Sequence, residues 1–137
     1  MKVIIAGSRT IVPSSSLISK AIKDSGFNVT EIVSGGAEGV DLSAQMYCMD
    51  RGIRTSGDNF YVPSWVWDVL GKKAGPLRNQ AMAKYADAAI VIWTGQSPGS
   101  RNMINQMKQL GKPVFEVIVA KTGQPRVTYE EETGECS

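Results

Sequence analysis

The chain of 137 residues contains no histidine, which removes the side chain that ordinarily titrates near neutral pH and the commonest transition-metal ligand. Zinc hydrolysis and Ser-His-Asp chemistry are set aside on that ground, and any acid or base has to be a carboxylate, thiol, lysine or tyrosine. Cysteine is almost as scarce. Cys48 and Cys136 make no metal-ligand spacing and read as reduced thiols of a cytoplasmic protein, so neither a metal nor a cofactor is expected. Long apolar runs are missing too. The opening MKVIIAGSRT has five apolar residues before Gly7, too few for a signal peptide or a membrane span, and nothing later is longer or more apolar. No run is rich in Lys and Arg, and the net charge is only +2, so nucleic acid is not the expected partner.

What is present suits one compact domain: 42% of the residues are hydrophobic. Val3 to Ala6 reads as a buried strand. Ser14 to Ser16 cap a helix with Leu17, Ile18, Ala21 and Ile22 on one face, ended by Gly26. Val29 to Val33 is a second strand, followed by a helix from about Glu38 to Arg51 and a weak third strand after Gly52 and Ile53. Residues 57 to 74, with Pro63 and two tryptophans, read as a long ordered loop. Pro76 suits the first turn of a helix with Leu77, Ala81 and Tyr85 on its apolar face. Ala88 to Trp93 is a central strand, Gly95 to Ser100 a loop, Arg101 to Leu110 a helix and Val114 to Val119 a strand.

This alternation predicts an α/β, doubly wound and mostly parallel sheet over residues 1–121. Residues 122–137 are expected to add a C-terminal β extension, a hairpin strand over Arg126 to Tyr129, and an acidic tail.

Ligands of such sheets bind outside the C-terminal ends of the strands, and the unusual residues collect there. Gly7-Ser8-Arg9 follows the first strand. "VSGGAEGVD" follows the second and supplies Ser34, Gly35, Gly36, Ala37, Glu38, Gly39 and Asp41. Arg78 and Asn79 open the third helix beside Gly75 and Pro76, while Thr94, Gly95, Gly99, Ser100 and Arg101 follow the fourth strand. Glycine beside a helix N-terminus exposes N–H groups in a positive field and suits phosphate or carboxylate. Taken singly, each loop reads as a tight turn, each arginine as a surface residue, Asp41 as a helix-dipole partner, and Trp65 and Trp67 as cover for the core edge. Their convergence on one sheet end is what points to an anion site. No Gly-Lys-Ser/Thr follows the glycines and no Gly-x-Gly-x-x-Gly is present, so neither a P-loop nor a dinucleotide fingerprint applies.

In this order "IIAGSRT", "VSGGAEGVD", the "W…GKKAGPLRN" run, "ADAAIVIW" and "GQSPGSRNMI" resemble the SLOG superfamily of Rossmann-like nucleotide-binding domains, in its small YpsA-related branch. The resemblance covers roughly residues 2 to 118. It implies a pocket for a nucleotide or nucleotide-derived ligand, and assembly as a homo-dimer or higher homo-oligomer. Relatives include phosphoribohydrolases, the DNA-uptake protein DprA, and sensors of NAD- or ADP-ribose-derived signals. Against the phosphoribohydrolase pattern, the RKxxM motif corresponds to Arg78-Asn79-Gln80-Ala81-Met82, which keeps the arginine and loses the lysine. The GGxGTxxE motif aligns with Gly99-Ser100-Arg101-Asn102-Met103, putting a thioether where the catalytic glutamate belongs. Met103 shares an apolar face with Met107 and Leu110 and reads as core.

Two functions follow as expectations. One is a binding module that senses or sequesters the ligand, with the glycine-loop amides and Arg78 on phosphate. Ser8, Ser34 and Thr94 would then bond ribose or phosphate, and Trp67 or Trp93 would flank the base. The other is an N-glycosidic hydrolase of nucleoside monophosphates or ADP-ribose-like compounds, with Glu38, Asp41 and Arg78 as catalytic candidates. Single-strand nucleic-acid binding is a distant third, since no interleaving of basic and aromatic residues is visible.

Overall fold

The computed structural model describes residues 1–56, 60 and 62–120. Five strands form one sheet in the order β3-β2-β1-β4-β5: β1 Lys2–Gly7, β2 Glu31–Val33, β3 Arg54–Thr55, β4 Ala88–Trp93 and β5 Val114–Ile118. Every pairing is parallel, with Val3 opposite both Ile32 and Ala88, and Ala89 opposite Val114. The order reverses between β1 and β4, and the crevice at such a switch point is where this architecture binds ligands. All six residues of β4 are buried, as a central parallel strand covered on both faces requires. The expected C-terminal hairpin and tail lie outside the described residues.

Helices α1 (Ser15–Ser25) and α2 (Val40–Arg51) cover one face of the sheet, where Leu17, Ile18, Ala44 and Cys48 pack on Val3, Ile5 and Ile90. Ser14 caps α1 by accepting from the Leu17 N–H at 3.1 Å. Gly26 and Gly52 end α1 and α2 in the left-handed conformation. Cys48 is a buried free thiol whose pKa burial pushes up.

Two tryptophans and Pro63 suggest a loop, but Ser64–Leu70 is a helix, α3, continued by a 3-10 turn over Gly71–Lys73. It buries no residue. Trp65 is 67% exposed and Val69 73%, so there is no core-facing stripe for a periodicity argument to detect. A helix of seven residues with nothing buried is held by its neighbours rather than by its own propensity.

On the opposite face lie α4 (Ala74–Tyr85) and α5 (Pro98–Gln109), with Met82, Ala83, Met103, Ile104 and Met107 against Ile4, Ala89 and Val91. The face expected for α4 is the wrong one. Leu77, Ala81 and Tyr85 point outward, and the buried side carries Ala74, Asn79, Met82 and Ala83. Three small or flexible residues and one amide let α4 lie close to the sheet and α5, where larger aliphatics would hold it off. On α5, Met103 and Met107 are buried as expected, whereas Leu110 caps the helix end half exposed. Pro98 at the first turn and Ser97 as cap start α5 three residues before the expected Arg101.

Two polar devices tie the sheet to its helices. Lys112 donates to the carbonyl oxygens of Ala83, Lys84 and Ala86 at 2.7, 3.1 and 2.7 Å, satisfying the C-terminal end of α4. Glu31, buried at the start of β2, accepts from Ser56 and from the Tyr85 hydroxyl at 2.6 Å and pairs with Arg54 at 3.3 Å. Burial opposes the Glu31 charge, yet those hydrogen bonds with Arg54 and Lys2 hold its pKa below the ordinary value. Sequence reading missed this cluster, since a glutamate opening a strand carries no local signal.

Candidate functional site

The loops after β1 and β2 interlock because two glycines leave room for it. At Gly7 a Cβ would stand 1.8 Å from the Ile92 carbonyl oxygen, so only glycine lets the end of β1 press against β4. Gly39, at φ 78 and ψ −126, caps α2, and a Cβ there would stand 2.5 Å from the carbonyl oxygens of both Ser8 and Arg9. The Ser8 carbonyl accepts from the N–H groups of Ile11 and Val40, which stitches the first loop to the start of α2. Gly39→Ala is expected to cost about 1–3 kcal/mol through strain and overpacking. Gly52→Ala, also at positive φ but facing open space, should cost roughly 1 kcal/mol. Urea denaturation of both variants checks this, and equal losses would mean that the loops do not depend on close approach.

Within the second loop, Ser34 donates to the Asp41 carbonyl at 2.9 Å and accepts from the Gly36 N–H at 3.3 Å. The Ala37 N–H donates to Asp41 Oδ2 at 3.4 Å. Ser34 is fully buried behind the loop and shapes it from within, so the expected contact between its hydroxyl and a ligand is corrected to a bracing role. Gly35 packs against Arg78, whose guanidinium lies 2.8 Å from where a Cβ would be.

These loops, α3 and the N-terminal ends of α4 and α5 enclose a cleft of about 620 Å³, the size of a small-molecule site. Of the residues expected at a ligand, Gly7, Ser8, Arg9, Ala37, Asp41, Trp67, Arg78, Asn79, Thr94, Gly99 and Ser100 line it. Gly35, Gly36 and Glu38 line a neighbouring cavity of about 370 Å³. Gly39 acts as the helix cap, and Gly95 turns the chain at φ 97. Arg101 is exposed and lies over the Trp93 ring at 4.7 Å, away from both cavities, because its place on α5 turns it to the outer side. Trp93 is buried and donates to Glu116 at 3.2 Å, so it cannot flank a base. Lys72, Gln96 and Asn102 also line the cleft and were not singled out from sequence. Lys72 stood in the Gly-Lys-Lys run read as loop, which was the signal available for it.

The polar atoms of the cleft divide into satisfied and unsatisfied. Asn79 accepts from Arg78 at 3.2 Å and donates to the Gly99 carbonyl and to Asn102 at 3.2 and 3.1 Å. Gln106 donates to Asn102 and to the Pro76 carbonyl, both at 3.0 Å. This network fixes α4 against α5. Three buried side-chain atoms have no partner among the described residues: Ser8 Oγ, Arg78 Nε and Ser100 Oγ. All three belong to cleft residues. Burial pushes Asp41 from its ordinary 3.8 up to about 6, against the pull of Arg78, the Ala37 and Gly35 amides and Arg9. Burial likewise lowers the Arg78 pKa, opposed by Asp41. Arg9 lies over the Trp67 ring at 5.5 Å, at the rim of the cleft.

Among the described residues no helix is long and apolar enough to cross a membrane. No family model matches the chain. The solved structure of DNA processing protein A (DprA) from Streptococcus pneumoniae superposes with a TM-score of 0.64 at 24% identity, covering 87% of this chain and 50% of that one. This likeness shows a Rossmann-like fold, and the chain spans half the length of that structure. The Gene 61 protein of Mycobacterium phage D29 is 35% identical over 89 residues, 61% of this chain and 68% of the phage protein. With glycine loops, sheet order and cleft in view, that identity over two thirds of the relative shows that the chain belongs to the family of the phage D29 Gene 61 protein.

Proposed function

We propose that the cleft holds a phosphate-bearing nucleotide or nucleotide-derived ligand, ADP-ribose- and NAD-like compounds included, and that the chain is a sensing or sequestering module of the YpsA-related SLOG branch. The observation that carries this reading is the set of three buried, unpartnered polar atoms, Ser8 Oγ, Arg78 Nε and Ser100 Oγ, all on residues that line the cleft. A buried donor left unmade costs about 1–3 kcal/mol, and three in one cavity find their acceptors in a ligand rich in oxygen atoms. Ser100 lies in the first turn of α5, whose dipole favours an anion there. The likeness to DprA carries the fold and leaves the ligand to the cleft itself.

Calorimetry with AMP and adenosine tests the reading. AMP is expected to bind well above adenosine. Arg78→Ala should weaken AMP by roughly ten- to a hundredfold, the equivalent of about 1.5–3 kcal/mol for a charge-assisted bond. Arg78→Lys should restore only part, because an ammonium lacks the guanidinium fork. Equal affinity for AMP and adenosine, or an unaffected Arg78→Ala, would place the anion elsewhere.

One observation favours a second reading. Asp41 faces the cleft with a pKa of about 6, close enough to neutrality for general acid–base work. Under that reading the chain hydrolyses an N-glycosidic bond with Asp41 as the proton carrier. Glu38 stands exposed in the neighbouring cavity and not in this cleft.

A further inference from the structure

Charge is sorted along the two cavities. Arg9, Ala37, Trp67 and Arg78 line both, so they form the passage from one to the other. The two arginines are the only cationic side chains on the wall of the smaller cavity among the described residues, and they stand at its inner end. The rest of that wall is Gly35, Gly36, Val62 and Ser64 with the acidic residues Glu38 and Asp68. A ligand ending in phosphate at the arginines would leave this cavity empty. A second anionic group there would meet two carboxylates. Hydroxyl groups, in contrast, donate to carboxylates and to a serine oxygen without charge repulsion.

We propose that the smaller cavity is a subsite for the sugar of a nucleoside diphosphate sugar. The diphosphate bridges the passage at Arg9 and Arg78, and the nucleoside lies in the larger cleft. The anion of this ligand is internal, flanked by a neutral group on each side. Trp67 at the passage offers a flat apolar wall to the sugar's C–H face, while Glu38 and Asp68 accept from its hydroxyls. The inference rests on the reading of the larger cleft as a nucleotide site and adds the part of the ligand beyond the phosphate.

The test compares ADP with ADP-ribose and ADP-glucose by calorimetry on the full chain. At least one of the two sugar compounds is expected to bind roughly tenfold or more tightly than ADP. Ser64→Phe, an exposed position on the outer wall, fills the cavity. It should abolish that advantage while leaving ADP affinity within about twofold. Asp68→Asn, which removes a carboxylate at an exposed site and keeps the shape, should reduce the advantage and serves if the phenylalanine variant fails to fold. ADP binding with no gain from either sugar overturns the subsite alone, as does a gain that survives both substitutions. Absence of binding by all three compounds overturns the nucleotide reading and the subsite with it.

Discussion

Met103→Glu is expected to lose about 3–5 kcal/mol of stability, the range for a buried charge without a partner. Met103 is 1% exposed and packs with Ile104, Met107, Met82 and Val91, although its edge also reaches the cleft wall. Among the described residues, the cations that line the cleft are Arg9, Lys72 and Arg78. A glutamate there has to displace core side chains or take up a proton to remain buried. Either way it cannot serve as a charged carboxylate at the cleft. Urea denaturation should show the loss, with Met103→Leu within about 1.5 kcal/mol of wild type as the volume-conserving control. Chromatographic assay should find no adenine released from AMP by either protein at rates near 1 s⁻¹. A stable Met103→Glu variant that releases adenine would mean that this position faces the ligand.

Asp41→Asn is expected to stabilise the unliganded protein at pH 7 by up to about 3 kcal/mol, two pKa units at 1.36 kcal/mol each. The sign follows from the raised pKa. Between the ordinary 3.8 and about 6 the folded state holds a proton that the unfolded chain has released. Its contribution is complete below pH 3.8 and is lost as pH rises through 6. The asparagine variant carries no such proton, so its advantage over wild type should grow across that window and level off above it. Glu31, held below its ordinary pKa, imposes the opposite slope in acid on both proteins and cancels in the difference. An anionic ligand beside Asp41 favours the protonated form further, so AMP should bind wild type more tightly at pH 5.5 than at pH 8. Parallel stability curves for the two proteins from pH 4 to 8 would show that the carboxyl is not buried as described.

How far the sequence speaks for itself differs from element to element. β4 is legible to the residue because Ala88 to Trp93 is an unbroken apolar run of strand length, and a parallel sheet covered on both faces demands that pattern. The glycine loops stand out in the sequence as expected of a ligand's approach, whereas at Gly7 and Gly39 it is the close approach of the chain to itself that excludes a side chain. Helix α3 is illegible because its apolar residues are turned outward, and the face of α4 is misread because alanines and an amide occupy the buried side. At the site, Ser34 and Arg101 show the limit of reasoning by neighbourhood. Each lies next to a cavity-lining residue in sequence, yet the β2 loop turns one inward and the α5 helix turns the other out. Ser100, adjacent to Arg101, lines the cleft because a helix places successive side chains about 100° apart.

The position of β1 sets an order of events in the making of this protein. It is bonded on one flank to β2 and on the other to β4, and Lys2 meets Asp87 across 85 positions of sequence. At a synthesis rate of roughly 5–20 residues per second, the β4 flank of Val3 to Ala6 stays unpaired for on the order of ten seconds on the ribosome. During that interval it is an open template for pairing with another chain. Gly7 cannot take up its place until Ile92 exists, and Ser100 arrives later still. The cleft is thus closed by the last third of the chain, and the first half, however well its helices form, cannot complete its walls.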